Sequence, residues 1–132
     1  PPPAALRTQH TLFGAKLRAR RSYPLQLPPF DAHRTVLTSP DDYTSTQQLG
    51  RALREVGAEA IEYVSARDAG GGLNVALFSP TAFARPRPTF KEEWLCETRA
   101  DEVSFYARGA SGLRSFARSG FEVNGRLPAP AA

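Results

Sequence analysis

The chain has 132 residues, 41% of them apolar, which is enough for one domain with a single modest core and too few for two. A formal charge of +4 is small and dispersed, so it admits a phosphate-bearing ligand, an acidic partner or nucleic acid without selecting one. Cys96 is the only cysteine, which excludes an internal disulfide and fits a reducing, cytoplasmic compartment; no apolar run approaches the roughly 20 residues of a membrane helix, and no signal peptide is visible.

Pro1 to Ala5 favours polyproline II, and positions 1–10 read as an extended lead-in. Thr11 to Arg18 alternates as a strand would, and Arg18, Arg20 and Arg21 follow as a short basic run. Pro24, Pro28 and Pro29 forbid a long regular element, so Tyr23 to Leu37 is expected to be extended and loop-like with short pairing. Ser39-Pro40-Asp41-Asp42 reads as a helix start, with Ser39 as cap, Pro40 in the first turn and aspartates at the positive dipole end. Leu49, Ala52, Leu53 and Val56 then form an apolar stripe, opposite Gln47, Gln48, Arg51, Arg54 and Glu55, and Gly57 closes the helix in a left-handed conformation. Ala60 to Val64 is a strand, Asp68 to Gly72 a turn, and Leu73 to Phe78 reads as a central strand buried on both faces. Phe90 to Arg99 and Glu102 to Arg108 make a hairpin at a sheet edge; Gly109 to Gly120 fits either a frayed helix or a loop, and Pro128 to Ala132 a disordered tail. The expected fold is α+β: short strands in sheets with one main amphipathic helix.

Few residues offer chemistry. Ser65 stands at a strand end beside a glycine-rich turn, where it either caps the turn or hydrogen-bonds a ribose hydroxyl or phosphate oxygen. No His or Asp is placed nearby in sequence to activate it as a nucleophile. Arg67 either grips a pyrophosphate bidentately or pairs with Asp68. Gly70-Gly71-Gly72 permits close backbone approach but lacks the spacing of a nucleotide-binding loop. Tyr63 either stacks on a base or packs in the core beside Ile61. His10 and His33 lack companions at ligand spacing, so no metal site is expected. Cys96 alternates with Trp94 and reads as buried and inert, and Glu92, Glu93 and Glu97 read as a solvated face.

Ser39-Pro40-Asp41-Asp42-Tyr43-Thr44 with Gln47, Tyr63-Val64-Ser65-Ala66-Arg67, Gly71 to Phe78, and Pro80 to Phe83 resemble in order and spacing the C-terminal part of the RES domain family, named for an arginine, a glutamate and a serine. The resemblance runs from about Thr11 to Tyr106, dividing the chain into the lead-in, a RES-like portion over 11–108 and an irregular segment over 109–132. It implies an ADP-ribosyltransferase-like α+β fold of two packed antiparallel sheets. It also implies a toxin of a bacterial toxin–antitoxin pair that degrades NAD, as substrate and not as cofactor. Such proteins split the nicotinamide–ribose bond with phosphate or water as acceptor, as an NAD phosphorylase or glycohydrolase. Ser65 corresponds to the signature serine, a catalytic position, and alone carries over as such; Tyr63, Arg67, Gly71 and Gly72, from the readings of their residues given above, are the candidates for holding NAD. The expected partner is an Xre-type helix-turn-helix antitoxin; self-association is admitted, and direct contact with nucleic acid or membrane is not expected. The family's arginine and glutamate fall upstream of the resembling stretch, where Arg7 is the only charged residue before Thr11. With no methionine and a Pro1-Pro2-Pro3 start, the chain reads as part of a longer toxin. The alternative is a non-catalytic RES-like remnant serving as a binding or regulatory module.

Overall fold

The computed structural model describes residues 4–109 and 112–129. It is α+β, with a three-stranded and a four-stranded sheet. The smaller sheet is built from β2 (Ser22–Pro24), β3 (Ala60–Val64) and β4 (Leu73–Leu77), in the order β2-β3-β4. β2 runs parallel to β3, so the resemblance's wholly antiparallel sheets do not hold at this pair. A parallel pair needs a long crossover, and the chain supplies it as a 3-10 turn, Phe30–His33, then α1 (Arg34–Leu37) and α2 (Thr44–Glu55). Tyr23 to Leu37 is therefore partly helical, where an extended loop was expected. The prolines bar a long strand or long helix there, and they leave the short strand ending at Pro24 and single helical turns untouched.

α2 begins at Thr44, five residues after the Ser39 start expected from the sequence. Ser39 and Asp42 bond locally: Ser39 Oγ accepts from the Asp42 N–H at 3.1 Å, and Asp42 Oδ1 accepts from the Thr44 N–H at 3.0 Å. These local bonds make a capped turn ahead of the helix and not its first turn. The two bonds from Thr44 hold the Asp42 carboxyl below its ordinary pKa. The far end follows the expectation. Gly57 has φ +85°, its N–H donates to Arg54 O at 3.0 Å, and the Ala58 N–H donates to Leu53 O at 2.9 Å, the paired bonds of a Schellman cap. Arg21 Nη1 reaches the Val56 carbonyl at 2.9 Å and adds a cation at the negative end of the dipole.

The helix lays Leu49 and Leu53 on β3, where Leu53, Leu25 and Ala58 form a buried cluster with Ile61, Tyr63 and Phe78 packed against it. Burying one such leucine contributes about 1.5–3 kcal/mol. Ala52 and Val56 leave the expected stripe; Val56, at the cap, is 58% exposed. β4 is an edge strand and not a central one: Leu73 and Val75 are 54% and 45% exposed. An unbroken apolar run fits either case, because periodicity cannot report whether a neighbour covers the outer face.

The larger sheet has the order β1-β5-β6-β7, all antiparallel, from β1 (Leu6–Gly14), β5 (Phe90–Thr98), β6 (Glu102–Ala107) and β7 (Leu113–Ala117). β1 starts at Leu6, inside the expected lead-in, and stops at Gly14. β5 is central and not at an edge, since β1 pairs along its whole length. Glu97 is accordingly not simply solvated: it bridges Arg7 on β1 at 3.1 Å and Arg99 at 2.6 Å, which together hold its carboxyl below the usual range, Arg99 contributing most. β7 occupies the stretch left open between helix and loop. Val103, Phe105, Phe116, Trp94, Cys96 and His10 share one face of this sheet, with Cys96 buried as expected. The two segments that connect the sheets pair with each other, Leu17 bridging Phe83 and the Arg18 N–H donating to Ala82 O at 2.7 Å. The expected disordered tail lies outside the described residues from position 130 on.

Candidate functional site

Strand β3 ends at Val64, and the chain folds back over Ser65 to Gly72 through side-chain-to-backbone bonds. Ser65 Oγ accepts from the N–H groups of Arg67 and Asp68, both at 3.2 Å, while the Ser65 N–H donates to Gly72 O at 2.8 Å. A hydroxyl carries two acceptor sites and one donor. Both acceptor sites of Ser65 are engaged, so what it offers a ligand is its proton. Its partners are backbone N–H groups, none of which can accept that proton. The side chain is set up as a hydrogen-bond donor and not as a nucleophile.

Asp68 closes the turn from inside. Its Oδ1 accepts from the Gly70 N–H at 2.8 Å and its Oδ2 from the Gly72 N–H at 3.0 Å, and the Gly71 N–H bonds the Asp68 carbonyl at 3.0 Å. Gly71 has φ +70°, and a Cβ on Gly72 would stand 2.5 Å from Asp68 Oδ2. The glycines serve the turn's own geometry. Their N–H groups point at Asp68 and are not presented to a ligand.

Arg67 does not pair with Asp68. Its Nη2 donates to the Pro40 carbonyl at 3.0 Å and to the Tyr43 hydroxyl, and the Tyr43 hydroxyl itself donates to Pro40 O at 3.0 Å. The turn before α2 thus holds one nitrogen of the guanidinium in place. Among the described residues Nε and Nη1 have no partner, which leaves a pre-oriented donor edge of the kind suited to phosphate or carboxylate.

The Ser65–Ala69 limb faces β6 and β7 across a cleft of about 810 Å³, bounded opposite by Val103, Phe105, Phe116 and Phe121. Past Arg67 it continues into a lobe of about 650 Å³ reaching Arg99, Glu102, Arg118 and Leu127. Arg67, Phe116 and Phe121 line both spaces. Each space lies in the range of about 300–1,000 Å³ usual for small-molecule sites, with apolar walls and a few directed polar groups. A hollow of about 470 Å³ between Phe13, Phe83 and the Arg85–Pro88 stretch contains neither serine nor carboxylate in its walls.

The structure therefore brings together Ser65 and Arg67. Tyr63 packs in the core cluster and lines a separate apolar cavity of about 340 Å³ with Leu25, Ile61 and Tyr43. Gly71 and Gly72 are exposed and outside the cleft lining. Sequence reasoning missed the Tyr43 clamp, since Pro40-Asp41-Asp42-Tyr43 reads as a cap signal, and missed Phe116 and Phe121, whose segment has no clear periodicity.

Comparison with protein-family profiles matches residues 1–99 to the RES domain. That span is three quarters of the chain, includes Tyr43, Ser65 and Arg67, and agrees with an α+β fold of two small sheets. The chain belongs to the RES domain family. Comparison with curated proteins returns no match.

Proposed function

We propose that this chain carries the NAD-facing serine and arginine of a RES-type toxin that cleaves the nicotinamide–ribose bond of NAD, with phosphate or water as acceptor. The observation that carries this reading is the pairing of Ser65, a hydroxyl donor, with Arg67, a clamped guanidinium, on one lip of an 810 Å³ apolar cleft. Family membership supports it. In the proposed step Arg67 neutralises the pyrophosphate and Ser65 donates to a ribose hydroxyl or phosphate oxygen. The bond to nicotinamide breaks with its electron pair leaving on the base nitrogen, and the oxocarbenium-like ribosyl carbon takes up the acceptor oxygen, whose proton is released to solvent when the acceptor is water. Such a cation needs negative charge beside it.

One observation favours a second reading, a module that binds NAD without cleaving it. Asp68 is the only carboxylate lining the 810 Å³ space among the described residues, both of its oxygens are held by glycine N–H groups, and the adjoining lobe beyond Arg67 adds only Glu102. Under the first reading the stabilising carboxylate comes from outside residues 65–121, and an Xre-type antitoxin covers the cleft mouth to protect the host's NAD. Incubating NAD with the 132-residue chain and with the full product of its gene separates the readings. The toxin reading expects NAD loss with the full product and little or none with this chain. Tight binding without turnover by both would replace it with the binding module, and no interaction with NAD by either would sink both readings.

A further inference from the structure

The wall of the cleft opposite Ser65 is not part of the family match, which ends at residue 99. It is built by β6, β7 and the 3-10 turn Arg118–Phe121, and of its three aromatic rings Phe116 and Phe121 line the spaces on both sides of Arg67, while Phe105 lines only the larger one. We propose that Phe116 and Phe121 form a base-stacking subsite, so that a dinucleotide lies along the cleft with its diphosphate on Arg67 and one base against Phe116. This rests on the NAD reading of the site.

Three observations carry it. Phe116 is 45% exposed although it stands on a strand face shared with the half-buried Phe105, so a large apolar ring is left facing the cleft. Its orientation is set from the side: Phe105, on the same sheet face, packs against it in a T-shaped contact at 6.2 Å and 71°, an arrangement that leaves ring surface for a planar group. The turn bearing Phe121 is tied down by the Arg118 N–H donating to Asp101 O at 2.7 Å and by Arg118 Nε on Glu122 at 2.8 Å. Rigid aromatic surface flanking a pre-oriented arginine is the pairing a nucleotide requires, since base stacking and phosphate recognition are separate contributions. A purely apolar ligand would leave the Arg67 donor edge unmatched, and a bare anion would leave both rings uncovered.

The test measures binding of NAD and of inorganic pyrophosphate to the full 132-residue chain by calorimetry. Phe116→Leu keeps an apolar side chain and removes the stack; it should weaken NAD binding roughly tenfold or more while pyrophosphate binding stays at the wild-type value. Phe116→Tyr, which retains the ring, should bind NAD as the wild type does. Should Phe116→Leu lose its circular-dichroism signature, Phe121→Leu carries the same expectation. NAD binding unchanged in the leucine variants overturns the subsite and leaves the NAD reading standing. An equal loss of NAD and pyrophosphate also overturns it, by showing a general distortion of the cleft. A wild-type chain that binds pyrophosphate but not NAD, or binds neither, overturns the subsite, and the NAD reading falls with it when the full gene product also fails to bind NAD.

Discussion

At the scale of single residues the site depends on two side chains whose local bonds decide what they can do. Ser65 uses both acceptor positions on the backbone of its own turn, so substituting it removes a turn cap and a ligand donor together. Under the proposed NAD-cleaving reading, Ser65→Ala in the full gene product should cut NAD consumption tenfold to a hundredfold, since a hydrogen bond to a phosphate oxygen is charge-assisted and worth about 1.5–3 kcal/mol. The melting temperature should fall by only a few degrees, for the loss of bonds worth about 1 kcal/mol. Turnover and melting both unchanged would reduce Ser65 to a spectator. Tyr43 acts one step back: its hydroxyl touches Arg67 and Pro40, not the cleft wall near Ser65. Tyr43→Phe removes that hydroxyl while keeping the ring, and Arg67 keeps its bond to Pro40 O. A looser guanidinium should raise KM for NAD several-fold with kcat nearly constant, the pattern of lost ground-state binding. A drop confined to kcat would contradict a positioning role.

At the scale of elements, helix α2 shows how far local chemistry reaches. Its C-terminus is readable because Gly57 must adopt φ +85°, which costs other residues about 1–2 kcal/mol. Gly50, in the helix interior, has no such need, and a Cβ there meets nothing within 4 Å. Gly57→Ala should therefore destabilise by about 1–2 kcal/mol, and Gly50→Ala should stabilise by about 0.5–1 kcal/mol. Opposite shifts in denaturation midpoint check the pair, and shifts of one sign would break the argument. The same contrast explains what was legible. Strand β3, the turn after it, the hairpin of β5 with β6 and the pair Ser65 and Arg67 all follow from contiguous residues. The edge position of β4 and the central position of β5 depend on which distant strand arrives beside them, and β7 depends on pairing with its sequence neighbour β6. Leu113–Ala117 pairs with β6 through Val103 and Phe116, a contact no short window of a glycine-flanked segment can announce. For that reason one lip of the cleft was readable and the other was not.

At the scale of the whole molecule, the accessible surface is 10028 Å² for 14.4 kDa, whereas a compact monomer of that mass has about 6,800 Å². Part of the difference is apolar and lies on the cleft-facing side of the larger sheet, where Leu6, Leu12, Phe90 and Phe116 are 59%, 47%, 50% and 45% exposed. Strand register puts Leu6 and Leu12 on the same face as Cys96 and Phe105, so this is the side a second layer would normally cover. The smaller sheet reaches that face at the Ser65–Ala69 limb, opposite Val103 and Phe105. An open apolar face of this kind is costly in water and favours association. The 132-residue chain by itself should bind a hydrophobic dye such as ANS while keeping its strand and helix signals, and its sedimentation coefficient should rise with concentration. Leu6→Ser combined with Leu12→Ser should reduce both effects without unfolding the chain, because these side chains make no contribution to the buried cluster around Leu53. A monomer at all concentrations with no dye uptake would mean that the two layers close over this face in solution.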